Sequence, residues 1–140
     1  MNQQIYPCLW FDGQAKAAAD HYCSIFKDAK ITSENPMVVN FELKGNKFMG
    51  LNGGSQYKFT PATSFVISCD SQEEIDYYWE KLGAGGTYSQ CGWLDDKFGV
   101  SWQIVPEILG KLMSDPERAP RVVQAFLMMT KFDIETLRNA

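Results

Sequence analysis

One pattern recurs along this chain and limits the folds open to it: a buried strand, a helix, then a run of short strands, met twice. The first round opens with residues 5–11 (IYPCLWF), apolar and aromatic, with Pro7 marking an irregular or edge point. Asp12-Gly13 turns the chain into a helix over residues 14–26, whose Ala15, Ala18, Tyr22, Ile25 and Phe26 fall on one face. A weak strand over residues 30–33, an alternating one over 37–43 and another over 47–52 follow. Gly45-Asn46 reads as the two-residue hairpin turn between the last two. Gly53-Gly54 and Pro61 punctuate the middle. The second round has a strand over residues 63–69 (TSFVISC) and a helix opened by Ser71, with Glu74 three residues on as a capping box. Ile75, Tyr78, Trp79 and Leu82 form that helix's apolar face and Gly83 ends it. A short strand over 90–94, a turn at Asp95-Asp96 and a strand over 100–105 complete the round.

The two helix starts lie roughly 60 residues apart, so one supersecondary unit is used twice. Each half covers one sheet face with its helix. The other face must be covered by the other half, a partner chain or a ligand. After Pro106 the character changes: a short helix over 106–113, then Asp115-Pro116 as N-cap and first helical residue. An amphipathic helix over 116–130 follows, with Val122, Val123, Phe126 and Leu127 inward, and Asp133 caps a last turn through Leu137. The expected class is α+β: two βαβββ modules (1–54 and 61–106) forming a cupped mixed sheet within a domain spanning 1–106, and a C-terminal helical extension over 107–140.

Composition excludes several functions. The 140 residues, 45% hydrophobic and 21% charged, suit one globular domain with a sizeable core. The net charge is -4, and Lys and Arg are scattered. Nucleic-acid binding needs clustered positive charge to displace counterions, so it is not expected. Residues 1–7 carry neither the basic nor the apolar region of a signal peptide, and no apolar run reaches the ~20 residues of a membrane helix. Cys8, Cys23, Cys69 and Cys91 lack C-x-x-C spacing and read as reduced thiols, which places the chain in the cytoplasm.

Particular residues carry a resemblance. Leu9-Trp10-Phe11-Asp12-Gly13 with Ala15 to Tyr22, then Phe48-Met49-Gly50-Leu51-Asn52-Gly53-Gly54, resemble the opening and fourth strand of PhnB-like proteins. Those form the 3-demethylubiquinone-9 3-methyltransferase-like family of the vicinal-oxygen-chelate superfamily, which includes glyoxalase I. Asp76-Tyr77-Tyr78-Trp79-Glu80-Lys81-Leu82 and the run from Gln90 through Gly92-Trp93-Leu94-Asp95-Asp96 to Pro106 resemble its second half. The link Ser33-Glu34-Asn35-Pro36 is shorter than the family's glycine-rich loop, which borders the pocket.

The resemblance implies a test for metal. Members with a catalytic metal hold it with His or Glu on the first, fourth, fifth and eighth strands. This sequence offers Ile5 or Pro7, then Phe48, Gly50 or Asn52, then Ser64 or Val66, and finally Gln103. None is a strong ligand. The single histidine, His21, sits mid-helix and reads as a packing or surface residue. No metal and no cofactor is therefore expected. The family label implies methyl transfer, but Gly53-Gly54 and Gly83-Ala84-Gly85-Gly86 do not sit between a strand and a following helix as a dinucleotide-type loop does.

Asn52, Ser64 and Gln103 are the expected polar groups of an otherwise apolar cavity, with Trp93 and Cys91 beside them. Cys91 as a nucleophile lacks a basic neighbour to activate it. Asp95, Asp96 and Lys97 read as a solvated turn before an acid–base set. If Gln103 faces the cup, alternation puts Trp102 under a helix. Three functions follow: a homodimeric binding module for a small apolar or aromatic molecule, a metal-independent transferase or isomerase using Gln103, Asn52 or Cys91, and a structural protein acting through its C-terminal helices. The first is preferred.

Overall fold

The computed structural model describes residues 3–140, which divide into two compact units, one running to Phe59 and the other from Thr60 to Ala140. The first unit contains β1 (Cys8–Phe11), α1 (Ala15–Ile25), β2 (Ala29–Glu34), β3 (Val38–Leu43) and β4 (Asn46–Asn52). Its strands lie in the order β1-β4-β3-β2, with β1 parallel to β4 and the other pairs antiparallel. The alternation of β3 puts Val39, Phe41 and Leu43 in the core beneath α1 and leaves Val38, Asn40 and Glu42 half-buried. Helix α1 buries Ala15, Ala18, Ala19, Tyr22 and Ile25 against that core. Its small residues let it approach closely: a β-carbon on Gly50 would lie 3.2 Å from that of Ala15.

Two local expectations shift. The β3–β4 turn is Lys44-Gly45, not Gly45-Asn46: Leu43 pairs with Asn46, and both turn residues are left-handed, with φ of 51° and 83°. Such a pair matches the twist of a two-residue hairpin, and glycine takes the second position without strain. Met37, read as the start of β3, lies outside it and is exposed, because Asn35 Oδ1 accepts from the Met37 and Val38 amides and closes a tight turn there.

The second unit repeats the plan. It contains β5 (Ser64–Cys69), α2 (Gln72–Gly83), β6 (Thr87–Tyr88), β7 (Trp93–Asp95) and β8 (Ser101–Pro106), in the order β5-β8-β7-β6 with β5 parallel to β8. The doubled βαβββ unit thus stands as two four-stranded mixed sheets. The capping box forms: Ser71 Oγ accepts from the Glu74 amide at 3.2 Å, and Glu74 Oε1 accepts from the Asp70 amide at 2.9 Å. Ile75, Tyr78 and Leu82 of α2 are buried, as are Leu94, Trp102 and Ile104 of the sheet. The strand expected from residue 90 begins only at Trp93, since Cys91 and Gly92 are both left-handed, and β6 is too short to leave a periodic signal.

Three helices follow: α3 (Ile108–Met113), α4 (Ala119–Leu127) and α5 (Ile134–Arg138). Helix α4 is shorter than the expected 116–130. Asp115 instead organises the turn ahead of it, its side chain accepting from the Glu117 amide and its carbonyl from the Ala119 amide. Val122 is buried as expected, whereas Leu127, expected inward, is 57% exposed at the helix end. Asp133 does cap α5, accepting from the Thr136 amide at 3.0 Å.

Candidate ligand-binding face

Each sheet has one face against its helix and one turned away from that helix, here the open face, and strand register decides which side chains share each. In the first unit Phe11 and Asn52 are paired and belong to the helix face with Leu9, Phe41 and Phe48. Asn52 therefore does not join an open-face site. Its Oδ1 accepts from the Ala15 amide at 2.9 Å, capping α1 from a neighbouring strand, and its Nδ2 donates to the Pro36 carbonyl at 3.1 Å. The cap residue by position, Gln14, makes no side-chain cap bond, so Asn52 replaces it. Asn52→Ala is expected to cost about 1–2 kcal/mol, read as a lowered urea midpoint at unchanged m-value. A loss below about 0.5 kcal/mol would show that the cap is not stabilising.

The same register corrects the strand positions considered for a metal. Phe48 and Gly50 lie on the helix face. The open face of the first sheet presents Cys8 and Trp10 from β1 and Met49 and Leu51 from β4. In the second unit the corresponding positions are Ser64 and Val66 on β5 and Ser101 and Gln103 on β8. A thiol, an indole, a thioether, alkyl groups, hydroxyls and an amide do not fit the His and carboxylate set that a catalytic divalent ion requires. Among the described residues no cluster of three or more His, Cys, Asp or Glu is placed to hold an ion.

Three of the five candidate residues do meet, on the open face of the second sheet. Gln103 Nε2 donates to Ser64 Oγ at 2.9 Å across the parallel β5–β8 pair. Gln103 is flanked by Val66 on β5 and Trp93 on β7. Among the described residues nothing else engages the Gln103 side-chain oxygen or the Ser64 hydroxyl hydrogen. This leaves one acceptor and one donor side by side. Val66 is 58% exposed, and Trp93 and Gln103 are half-buried. Strands lie ~4.8 Å apart, so the row Val66–Gln103–Trp93 spans about 10 Å, the length of a fused aromatic ring pair. The next row, Ser64–Ser101–Asp95, is polar, with Ser101 Oγ donating to Asp95 Oδ1 at 2.6 Å. Val66 was not among the expected ligand contacts, nor were Asp95 and Ser101, which share its face although Ser101 is 1% exposed and supports Asp95 from within. Alternation could have found them only once the β5–β8–β7 register was known.

Cys91 has a different role. It takes a left-handed conformation (φ 58°) before β7, and its thiol donates to the Phe126 carbonyl at 3.5 Å. Asp96, read as part of a solvated turn, is 2% exposed. Its carboxylate accepts from the Phe98 and Val100 amides and from the Trp102 indole, so it is a buried organiser of the β7–β8 turn. Trp102 lies on the helix side, opposite Gln103, as alternation predicts. Burial pushes the Cys69 thiol up to about 12, keeping it protonated at neutral pH and unreactive. The glycines are used for packing: Gly53 lies against the Trp10 indole, Gly83 against Tyr88 and Gly86 against the Asp95 carbonyl.

A doubled βαβββ plan with helices on one face of each sheet is a glyoxalase-like fold. The family model for 3-demethylubiquinone-9 3-methyltransferase matches residues 3–105. The solved PhnB protein of Bacillus cereus is 32% identical, with 74% of this chain and 99% of that one aligned at a TM-score of 0.68. The chain belongs to the PhnB-like, 3-demethylubiquinone-9 3-methyltransferase family. Protein PA1353 of Pseudomonas aeruginosa shares the fold at 20% identity, with 76% of this chain and 98% of that one aligned at a TM-score of 0.63. So does FosX, a fosfomycin resistance protein of Listeria monocytogenes solved with Mn(II) and sulfate, at 18% identity, 81% and 97% coverage and a TM-score of 0.60. No curated protein matches. Among the described residues no helix is long and apolar enough to cross a membrane.

Proposed function

We propose that the open face of the second unit binds a small apolar or aromatic molecule carrying one polar group, without a metal centre. The observation that supports this reading most is the Gln103 amide, held by Ser64 and set between Trp93 and Val66. A flat apolar body would lie on Trp93 and Val66 while its polar group meets the Gln103 oxygen or the Ser64 hydroxyl. Such a mixture suits a hydroxylated or carbonyl-bearing ring system of about two fused rings. A homodimer is part of the proposal, in keeping with the superfamily plan in which paired modules complete each other's site.

The probe for this reading is 2-naphthol, titrated into the protein with binding followed by calorimetry. Trp93→Ala and Gln103→Ala are each expected to weaken binding roughly tenfold, the effect of losing an aromatic contact or one well-placed hydrogen bond. Equal affinity in both folded variants would place the ligand elsewhere. The family's description as a methyltransferase favours a second reading, in which the face binds the acceptor of a methyl group. Incubation of 2-naphthol with S-adenosylmethionine and the protein separates the two. Protein-dependent appearance of the methyl ether supports catalysis, and binding without product supports the binding reading.

A further inference from the structure

The family match ends at residue 105, and nearly all of the Bacillus cereus relative aligns while about a quarter of this chain is left over. The helices after β8 are thus an addition to the family core. Their contacts are specific. The Cys91 amide donates to the Met129 carbonyl at 2.8 Å and the Gly92 amide to the Thr130 carbonyl at 2.7 Å, while the Cys91 thiol meets the Phe126 carbonyl. The Phe132 ring, 2% exposed, packs on Gly92 so closely that a β-carbon there would lie 2.7 Å from it. The other end of the segment is tied to α2. Gln72 Nε2 donates to the Phe132 carbonyl at 2.9 Å, and Gln72 Oε1 accepts from the Ile134 amide at 2.8 Å. Lys131 pairs with Asp76 at 2.8 Å, and its hydrogen bond, with one from Gln72, holds the Asp76 carboxyl below its ordinary range.

We propose that residues 126–134 are a strap that fixes the loop entering β7, and through it the position of Trp93 and Gln103. Phe132 and Gln72 are its positioning residues. The path is short. Gly92 is followed directly by Trp93, and the Gly92 carbonyl accepts from the Ile104 amide at 2.7 Å, next to Gln103. The loop closes through the Trp93 amide, which donates to the Gln90 carbonyl at 3.1 Å, but its Cys91 holds a left-handed conformation that costs a non-glycine residue free energy. The strap supplies two backbone acceptors and a ring to hold it. The proposal rests on the ligand reading of this face only in its last step.

The test uses the full chain with Phe132→Ala and, because that change also opens a core space, Gln72→Ala, which removes the two bonds to the strap and one to the exposed Asp76 carboxylate. Hydrogen exchange and alkylation of Cys91 by iodoacetamide need no ligand, so failure of the ligand reading leaves them decisive. With the strap loosened, the Cys91, Gly92 and Ile104 amides are expected to exchange roughly tenfold faster or more, and Cys91 to alkylate faster, while the α2 amides near Leu82 keep their rates. Unchanged rates in both variants, or equal acceleration at Leu82, would overturn the proposal. For the positioning step, Phe132→Ala is expected to weaken 2-naphthol binding in the parent but not in a Trp93→Ala background. Equal weakening in both backgrounds would refute the link to Trp93.

Discussion

Asp96→Ala will remove about 3–5 kcal/mol of stability, a large part of the ~5–15 kcal/mol of an ordinary domain. Three donors converge on this buried carboxylate: the Phe98 amide at 2.9 Å, the Val100 amide at 3.1 Å and the Trp102 indole at 2.9 Å. Hydrogen bonds to a charged group contribute ~1.5–3 kcal/mol each, and a buried donor left alone costs ~1–3 kcal/mol more. The turn cannot open to water without moving Trp102, which is 3% exposed against the rest of the core. Asp96→Asn keeps one acceptor but can turn an amide N–H towards the indole N–H, so it is expected to cost about half as much. Trp102→Phe leaves a core space in any background, but it should cost less beside Asp96→Asn than in the parent, because the opposed donor goes with the indole. Urea unfolding of the variants, Trp102→Phe alone included, checks this. A loss under about 1 kcal/mol for Asp96→Ala would mean that the turn is held by other means.

Gly92→Ala will be the second severe change, at about 3 kcal/mol or more. Two costs combine. The residue has φ of 80°, where a β-carbon brings ~1–3 kcal/mol of strain. That carbon would also lie 2.5 Å from the Ile104 carbonyl oxygen and 2.7 Å from the Phe132 ring, and neither can retreat, since Ile104 sits on β8 between β5 and β7 and Phe132 is 2% exposed. Gly13→Ala is the control. Its φ of 76° imposes the same strain, but nothing lies within 4 Å of the new carbon, so only about 1 kcal/mol is expected. Thermal or urea unfolding of the two variants separates clash from strain. Equal losses would show that the close packing of strap and loop contributes nothing.

Much of the fold was legible because it rests on periodicity. The apolar face of α1, the capping box at Ser71 and Glu74, the alternation of β3 and the opposition of Trp102 to Gln103 are local patterns that tertiary packing reinforces. What escaped depends on register or on single backbone conformations. Asn52 changed faces because side-chain direction alternates with every residue, and β4's pairing with β1 is not written in β4 itself. The start of β7 was misplaced by the left-handed Cys91, which no composition signal announces. The burial of Asp96 was hidden for a related reason. An Asp-Asp-Lys run looks solvated until Trp102 is placed within reach of it. Of the candidate site, Ser64, Gln103 and Trp93 share a face through β5, β8 and β7 pairing, a long-range fact that residue chemistry alone could only anticipate.

The most direct test of the binding reading is chemical-shift mapping of the 15N-labelled protein, backbone and side-chain amides together, during titration with 2-naphthol. Saturable shifts are expected, centred on the Gln103 side-chain amide, the Trp93 indole and the Ser64 and Val66 backbone, with the α1 amides still. Shifts confined to other surfaces, or none at saturating probe, would contradict it.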